Sequence, residues 1–129
     1  MNTIKNIERI TSNYPNWMPV DVAFIKAFEW SNNCLIITFY SQTKGGASKW
    51  PDLSREFLEI TINFRNISNL KLQFTGVNLQ QISGFDIINI SSNGLEKMNF
   101  QIEDYENGII EFVCEEIEIS KISSTGIFL

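Results

Sequence analysis

Hydrophobic and polar residues alternate along much of the chain. Two stretches, "EFLEITINF" and "NLKLQFT", show the alternation most clearly. Their hydrophobic residues share one face in each stretch: Leu58, Ile60, Ile62, Phe64, Leu70, Leu72 and Phe74. A period of two is typical of antiparallel strands that rest one face on a core. We therefore predict strands over residues 57–64 and 69–75, with these hydrophobic side chains buried.

Shorter runs of the same period lie elsewhere in the chain. The stretches "VAFIKAFEW" and "CLIITFYS" are joined by Ser31-Asn32-Asn33, which predicts a β-hairpin turn. Helical segments that could cross between parallel strands are missing from the pattern. The sequence therefore predicts a mainly β fold, either an antiparallel β-sandwich or a strongly curved sheet.

The N-terminal segment and one long loop depart from this pattern. In "TIKNIERIT" the residues Ile4, Ile7 and Ile10 lie three apart, which predicts a short amphipathic helix with Thr3 as its N-cap. Residues 41–56 read "SQTKGGASKWPDLSRE", a polar and comparatively basic loop. Its single tryptophan, Trp50, is interpreted first as an anchor that packs on the sheet. If it is exposed, it is a candidate contact for a partner.

Length and composition fit one domain over residues 1–129, because 129 residues of which 43% are hydrophobic suit one core. No hydrophobic run approaches the roughly 20 residues that span a bilayer. The N-terminus lacks the continuous apolar centre of a secretory signal, so we expect a cytoplasmic protein without a membrane partner. Cys34 and Cys114 are far apart in sequence and are interpreted as structural thiols.

Charge is spread unevenly over the chain, whose net charge is −5. Residues 1–75 carry six acids and eight bases, whereas residues 76–129 carry nine acids and two bases. An acidic half argues against nucleic acid as the partner, because phosphates would be repelled. The stretch "EDYENGIIEFVCEEIEIS", residues 103–120, holds seven carboxylates and neither Lys nor Arg, and the chain has no His.

The hydrophobic face of this acidic stretch fixes a hairpin register. A three-residue loop, Glu106-Asn107-Gly108, keeps the apolar side chains of both strands on one face. Gly108 then takes the left-handed position that the loop requires. In this register Glu103 lies opposite Glu111, and directly opposed like charges destabilise a sheet.

Beyond Cys114 the alternation slips by one residue. A bulge near Glu115-Glu116 would return Ile117 and Ile119 to the core face. We therefore predict an acidic strip on one side of a single sheet, with two further acids exposed at the hairpin tip. The strip is formed by Glu103, Glu111, Glu116 and Glu118, and the tip by Asp104 and Glu106.

Four interpretations of the strip compete. Acid catalysis needs one carboxylic acid in an apolar pocket, whereas these acids alternate along strands. Calcium binding favours closely spaced loop oxygens, and no D-x-[DN]-x-[DN]-G loop occurs. A solvated outer face needs no partner. A docking surface for a basic protein explains why opposed acids are tolerated, since partner Lys or Arg residues would relieve the repulsion.

Several short motifs in the second half resemble the immunity protein 50 family of bacterial polymorphic-toxin systems. The motifs are Phe74-Thr75-Gly76-Val77, Gly84-Phe85-Asp86-Ile87, Tyr105-Glu106, Phe112 and Cys114, and Glu116-Ile117-Glu118-Ile119. The resemblance implies a small cytoplasmic protein that binds and neutralises a cognate toxin. Many such toxins are nucleases with basic sites, which an acidic face would complement. The resemblance carries over no catalytic residues.

Each motif also has a plain structural interpretation. Gly76 and Gly84 are expected to be turn glycines with positive φ. Asp86 is expected at a turn or strand end. Phe74, Phe85 and Phe112 are expected in the core.

The hypothesis is therefore an immunity-type inhibitor that binds a basic toxin through an acidic sheet face. The candidate contact residues are Glu103, Asp104, Glu106, Glu111, Glu116, Glu118 and Trp50. We expect no enzymatic activity, no cofactor, no metal and no nucleic-acid partner. The alternative is a small-ligand or protein-interaction domain with a merely solvated acidic face, and a carboxylate hydrolase comes third. The sequence leaves open whether the strip or the loop over residues 42–55 contacts the partner.

Overall fold

A computed structural model describes residues 3–44, 49–74, 79–94, 98–123 and 127–129. The main elements are one α-helix and nine strands among these residues: α1 (Glu8–Thr11), β1 (Val22–Ser31), β2 (Cys34–Ser41), β3 (Leu58–Arg65), β4 (Ser68–Leu72), β5 (Gln80–Gln81), β6 (Phe85–Asn89), β7 (Phe100–Asp104), β8 (Ile110–Cys114) and β9 (Glu116–Ser123). Two short 3-10 turns, Pro19–Asp21 and Ser91–Asn93, accompany them.

Within the described residues the strands form two antiparallel sheets. The five-stranded sheet has the order β5-β1-β2-β3-β9, and the four-stranded sheet has the order β4-β8-β7-β6. Their inner faces meet in one hydrophobic core, where the ring centroids of Phe39 and Phe85 lie 5.0 Å apart and those of Phe64 and Phe112 lie 5.1 Å apart. The predicted antiparallel β fold is confirmed, in the form of a sandwich.

The alternation of β3 is confirmed residue by residue, whereas that of β4 holds only in part. Leu58, Ile60, Ile62 and Phe64 are buried. The strand β4 ends at Leu72, and the predicted residues Leu70, Leu72 and Phe74 are half-buried. They lie at the rim of the core because β4 is an edge strand of the four-stranded sheet. Thr75 and Gly76 lie outside the described residues.

The predicted hairpin between β1 and β2 is present, but its turn has two residues. Ser31 pairs with Cys34, so Asn32 and Asn33 alone make the turn. Their φ angles are 47° and 63°. Both central residues of a tight hairpin turn of this kind need positive φ, and asparagine tolerates that conformation better than most residues.

The predicted N-terminal helix exists but is shorter than the isoleucine spacing indicates. It begins at Glu8 and follows Ile7, so the prediction that Thr3 is its N-cap is wrong. The backbone of Lys5 instead pairs with β9: Lys5 N donates to Ile117 O at 2.8 Å, and Ile119 N donates to Lys5 O at 2.9 Å. The N-terminal segment therefore covers the outer edge of β9.

The chain changes sheets between β8 and β9. Cys114 ends β8 in the four-stranded sheet, and Glu116 begins β9 in the five-stranded sheet. The phase slip at Glu115 therefore marks a crossing between sheets, and the predicted bulge within one strand is wrong. Ile117 and Ile119 do return to the core, as predicted. Among the described helices, none is long and apolar enough to cross a membrane.

Candidate functional site

The hairpin of β7 and β8 carries four of the six candidate carboxylates that the sequence singles out. Its register pairs Glu103 with Glu111 and Gln101 with Val113, which confirms the predicted pairing. Gly108 has a φ of 66°, the left-handed conformation expected of it. The inner side chains of the hairpin, Phe100, Ile102, Ile110, Phe112 and Cys114, are all buried. Glu103 and Glu111 consequently lie on the outer face of the four-stranded sheet.

Asp104 does not project from the hairpin tip as predicted, because it is 4% exposed. Its carboxylate accepts backbone hydrogen bonds from Glu106 N at 3.1 Å, Asn107 N at 3.2 Å and Ile109 N at 3.2 Å. An aspartate that caps a turn in this way replaces the backbone partners that the turn residues lack. Its role is to hold the loop.

Glu106 is exposed at the hairpin tip, as predicted, and it contacts the segment before β6. Its carboxylate accepts a hydrogen bond from Ser83 Oγ. A Cβ placed on Gly84 would lie 2.8 Å from both Glu106 Cγ and Glu106 N. Only glycine fits at position 84, because any side chain there would clash with Glu106. The expectation that Gly84 has a positive φ is wrong.

Three carboxylates form a row across neighbouring strands of the four-stranded sheet. Asp86 on β6 pairs with Glu103 on β7, and Glu103 pairs with Glu111 on β8. We call Asp86, Glu103 and Glu111 the acidic row. Lys71 on β4 continues the row, with its Nζ 3.5 Å from Glu111 Oε1. No described cation forms an ion pair with Asp86 or Glu103.

The sequence-based site omitted Asp86, which the structure adds to the surface. It lies within β6, as the second residue of that strand, and not at a turn. Its position in "FDIIN" shows the same alternation that identified Glu103, but strand order decides which strands are neighbours. Sequence alone does not give that order.

Less polar side chains border the acidic row. Tyr105, the residue directly after β7, is 57% exposed, and Ile88, on β6, is 37% exposed. Ile88 pairs with Gln101, which in turn pairs with Val113, so these residues form the next row of the same outer face. Gln101 Nε2 donates to Glu103 Oε1 at 3.0 Å and keeps that carboxylate close to the sheet.

Glu116 and Glu118 lie on a different sheet from the acidic row, so the prediction of one continuous strip is wrong. Both also have cationic partners. Arg65 Nη2 donates to Glu118 Oε1 at 2.7 Å, and Lys5 Nζ lies 3.4 Å from Glu116 Oε2. The hydrogen bond to Glu118 raises the pKa of the Arg65 guanidinium. These acids are neutralised within the chain.

Comparison with known families gives a match over most of the chain. The family model described as Immunity protein PIM8 matches residues 8–120. The chain belongs to this family of immunity proteins. The broader expectation of an immunity protein is thereby confirmed, whereas the match does not bear on the immunity protein 50 group. Neither the curated proteins nor the solved structures give a match.

Trp50 occupies an anchoring position in this immunity protein. Its indole Nε1 donates to Gln42 O at 2.7 Å, and its half-buried ring packs against a small cluster built on Ala23, Tyr40 and Phe57. Lys44 Nζ lies 4.4 Å from the ring centroid, within the range of a cation–π contact. The geometry favours the interpretation of Trp50 as a loop anchor.

A cavity of about 440 Å³ lies beside this loop. Tyr14, Trp17 and Phe57 line it together with Gln42. The Gln42 amide is already engaged, because Nε2 donates to Asp52 O at 2.9 Å and Oε1 accepts from Asp52 N at 2.7 Å. The buried amide of Gln42 therefore serves the loop itself.

The remaining reactive side chains show no catalytic arrangement within the described ranges. No group of three His, Cys, Asp or Glu residues there is placed to hold a metal ion. Cys34 is half-buried and Cys114 is buried, and both are free thiols. Burial raises the pKa of the Cys114 thiol to about 12, so that it stays protonated and a poor nucleophile near neutral pH.

Proposed function

We propose that this immunity protein neutralises a cognate toxin by binding it, and that the acidic row is the centre of the contact surface. The observation that carries the proposal is the alignment of Asp86, Glu103 and Glu111 on three adjacent strands. Lys71 compensates this charge at one end of the row only. The toxin surface that fits such a row is basic.

Electrostatics supports a partner for this row. Directly opposed like charges destabilise a sheet by a few tenths to about 1 kcal/mol for each pair. Lys or Arg side chains of a bound protein would replace this repulsion with attraction. Complementary charge also accelerates association, because it steers the two proteins together before they touch.

The neighbours of the row suit a protein interface. Tightly bound interfaces usually combine a polar rim with a few aromatic or aliphatic anchors. Tyr105 and Ile88 supply exposed apolar surface on two sides of the acidic row. Glu106, exposed at the hairpin tip, extends the acidic surface beyond Tyr105.

A basic contact surface on the toxin fits an enzyme that acts on nucleic acid. Such enzymes hold phosphates with Lys and Arg, and an acidic protein that covers this site excludes the substrate. The mechanism we propose is steric and electrostatic occlusion, without catalysis by the immunity protein. Asp104 and Trp50 lie outside the proposed surface because each anchors a loop, and Glu116 and Glu118 lie outside it because they belong to the other sheet.

The experiment uses a candidate toxin identified among the genes that neighbour this one. Co-expression of the chain should restore growth to cells that produce the toxin, and the purified proteins should form a complex. Because the attraction is electrostatic, the association rate should fall about tenfold or more when salt is raised from about 50 mM to about 500 mM.

Two results would contradict the proposal in different ways. Absence of both protection and complex formation would show that the chain does not neutralise this toxin. If the chain protects cells but the association rate does not change with salt, the chain is an inhibitor of the toxin and the acidic row does not contribute to binding. The row would then be a solvated face, which is the alternative that the sequence leaves open.

A further inference from the structure

The cavity that Gln42 helps to line has aromatic walls. Its lining includes Tyr14, Trp17, Phe57 and Phe128, and its volume is about 440 Å³. Pockets that hold small ligands usually measure about 300–1,000 Å³ and combine hydrophobic walls with a few polar groups. The size and the walls of this cavity therefore suit a small molecule with a flat apolar body.

Hydrogen bonds within the chain hold the buried part of the lining in place. Ser41 is 2% exposed, and its Oγ accepts from Trp17 Nε1 at 2.9 Å and donates to Asp21 O at 3.0 Å. The buried amide of Gln42 is fixed in the same way by the backbone of Asp52. A site whose groups are already held in position loses less conformational entropy when a ligand binds. The lining of the cavity is therefore preorganised.

Exposed hydrophobic side chains lie on and beside the wall. Phe128 lines the cavity and is 59% exposed. Met18 and Leu53, which follow and precede the lining residues Trp17 and Ser54 in sequence, are exposed as well. An aromatic ring that enters the cavity would cover the ring of Phe128 and remove apolar surface from water, which favours binding.

The charged residues of the lining indicate which polar group the ligand carries. Arg55 is exposed and lines the cavity next to Glu56, which already has an interaction within the chain. A guanidinium presents its N–H donors in a planar fork that matches a carboxylate. Tyr14 and Thr43 add hydroxyl groups to the same lining.

Glu56 limits the negative charge that the ligand can carry. Among the described lining residues, Arg55 is the cation and Glu56 is the acid. A ligand with one negative charge can pair with Arg55. A second negative charge would be repelled by Glu56 and would find no further cation in this lining. The lining therefore favours a carboxylate over a doubly charged phosphate.

We infer that this cavity binds a small aromatic carboxylate, with the ring of the ligand against the aromatic walls and its carboxylate on Arg55. The site is separate from the proposed toxin contact. The strands that contribute to its lining, β2 and β3, belong to the five-stranded sheet, whereas the acidic row lies on the four-stranded sheet. The inference is thus independent of the proposed function.

A titration with phenylacetate, followed by ¹H–¹⁵N NMR, tests the inference. The indole N–H signal of Trp17 reports on the cavity and is assigned by its loss in Trp17→Phe, whereas the signal of Trp30 on β1 should not move. We expect a dissociation constant of about 1 mM or lower. Phenylacetamide, which has the same shape without the charge, should bind about tenfold more weakly. An unmoved Trp17 signal at about 10 mM phenylacetate would overturn the inference.

Substitutions at exposed positions test the two parts of the site. Arg55→Gln should weaken phenylacetate binding about tenfold and abolish the preference over phenylacetamide. Phe128→Ala should weaken both compounds about threefold or more, because it removes apolar contact. The matched control is Lys49→Gln, an exposed cation outside the lining, which should leave binding unchanged. Circular dichroism would verify that each variant folds.

Two further results would overturn the inference. Phenyl phosphate that binds more tightly than phenylacetate, or phenylacetate that binds Arg55→Gln as well as the natural chain, would contradict the assignment of a carboxylate on Arg55. If phenylacetate does not bind, and a toxin moves the Trp17 signal and binds Arg55→Gln more weakly, the cavity is a protein contact. The salt dependence of toxin association tests the proposed function separately, so the two can fail independently.

Discussion

Glu103 and Glu111 lie directly opposite each other on neighbouring strands, as two like charges in one cross-strand pair. Asp86 adds a third carboxylate beside Glu103 on the following strand. An arrangement of this kind costs stability in the free protein, so its presence needs a reason. We attribute it to a basic partner, and the energetic cost leads to the first prediction.

Removing the charge of Glu103 should stabilise the free protein. Glu103→Gln removes repulsion from both neighbours while the amide oxygen can still accept the hydrogen bond from Gln101. We expect the free energy of unfolding to rise by about 0.2–1 kcal/mol in a urea titration at low salt, and the gain to shrink as salt is added. The control Glu118→Gln should lower stability slightly, because it weakens the pair with Arg65. A loss of stability in Glu103→Gln would contradict the account of the row.

Asp104 should behave as a structural residue. Asp104→Ala leaves three backbone N–H groups of the turn without their acceptor, and we expect a loss of about 3 kcal/mol or more. Asp104→Asn should lose less, because its amide oxygen still accepts from the turn. Thermal and urea unfolding would measure both variants. If Asp104→Ala costs less than about 1 kcal/mol, the carboxylate does not hold the loop.

Ile62 should be one of the most sensitive positions of the core. It is fully buried and pairs with Ile37 on β2 and Ile119 on β9. Ile62→Ala should lower the free energy of unfolding by about 2–5 kcal/mol. Asn63→Ala, on the outer face of the same strand, should change it by about 0.5 kcal/mol or less. Equal effects at the two positions would contradict the assignment of the faces.

The two cysteines should differ in reactivity. A thiol reagent at about pH 8 should label Cys34 in the native chain and reach Cys114 only after unfolding, since Cys114 is buried and protonated. Mass spectrometry of peptides would locate the label, with Cys34→Ser as the control. Labelling of native Cys114 at the rate of Cys34 would show that its strand opens readily.

The same burial predicts a pH dependence. The pKa of Cys114 is raised from 9.0 to about 12 in the folded chain, so the folded state holds this proton more tightly than the unfolded state does. The resulting stabilisation is complete below pH 9 and is lost as the pH rises toward 12. Between pH 9 and pH 12 the free energy of unfolding of Cys114→Val should therefore fall less than that of the natural chain.

Local pattern predicted the parts of the fold that depend on neighbours in sequence. The alternation in β3 and in the β7–β8 hairpin gave the buried faces and the Glu103–Glu111 register, because one misplaced residue would turn the hydrophobic side chains outward. Gly108 marked the turn because few other residues accept its conformation.

The alternation did not predict which strands are neighbours or which residues far apart in sequence form ion pairs. The slip at Glu115 fits a bulge and a change of sheet equally well, and only the partners of β9 decide between them. Arg65 and Lys5 neutralise Glu118 and Glu116 from positions far away in sequence. Asp86 joins the acidic row because β6 lies beside β7. These contacts follow from strand order, which the residues of one strand do not determine.

The dissociation constant of the toxin complex for two matched charge reversals tests the central claim most directly. Glu103→Lys/Glu111→Lys reverses the acidic row, and Glu8→Lys/Glu116→Lys makes the same change in net charge outside it. Calorimetry at fixed salt, with circular dichroism as the folding control, should show affinity reduced at least about 100-fold for the first and by about threefold or less for the second. Equal losses in the two variants, or full affinity in a folded Glu103→Lys/Glu111→Lys chain, would contradict the claim that the acidic row binds the toxin.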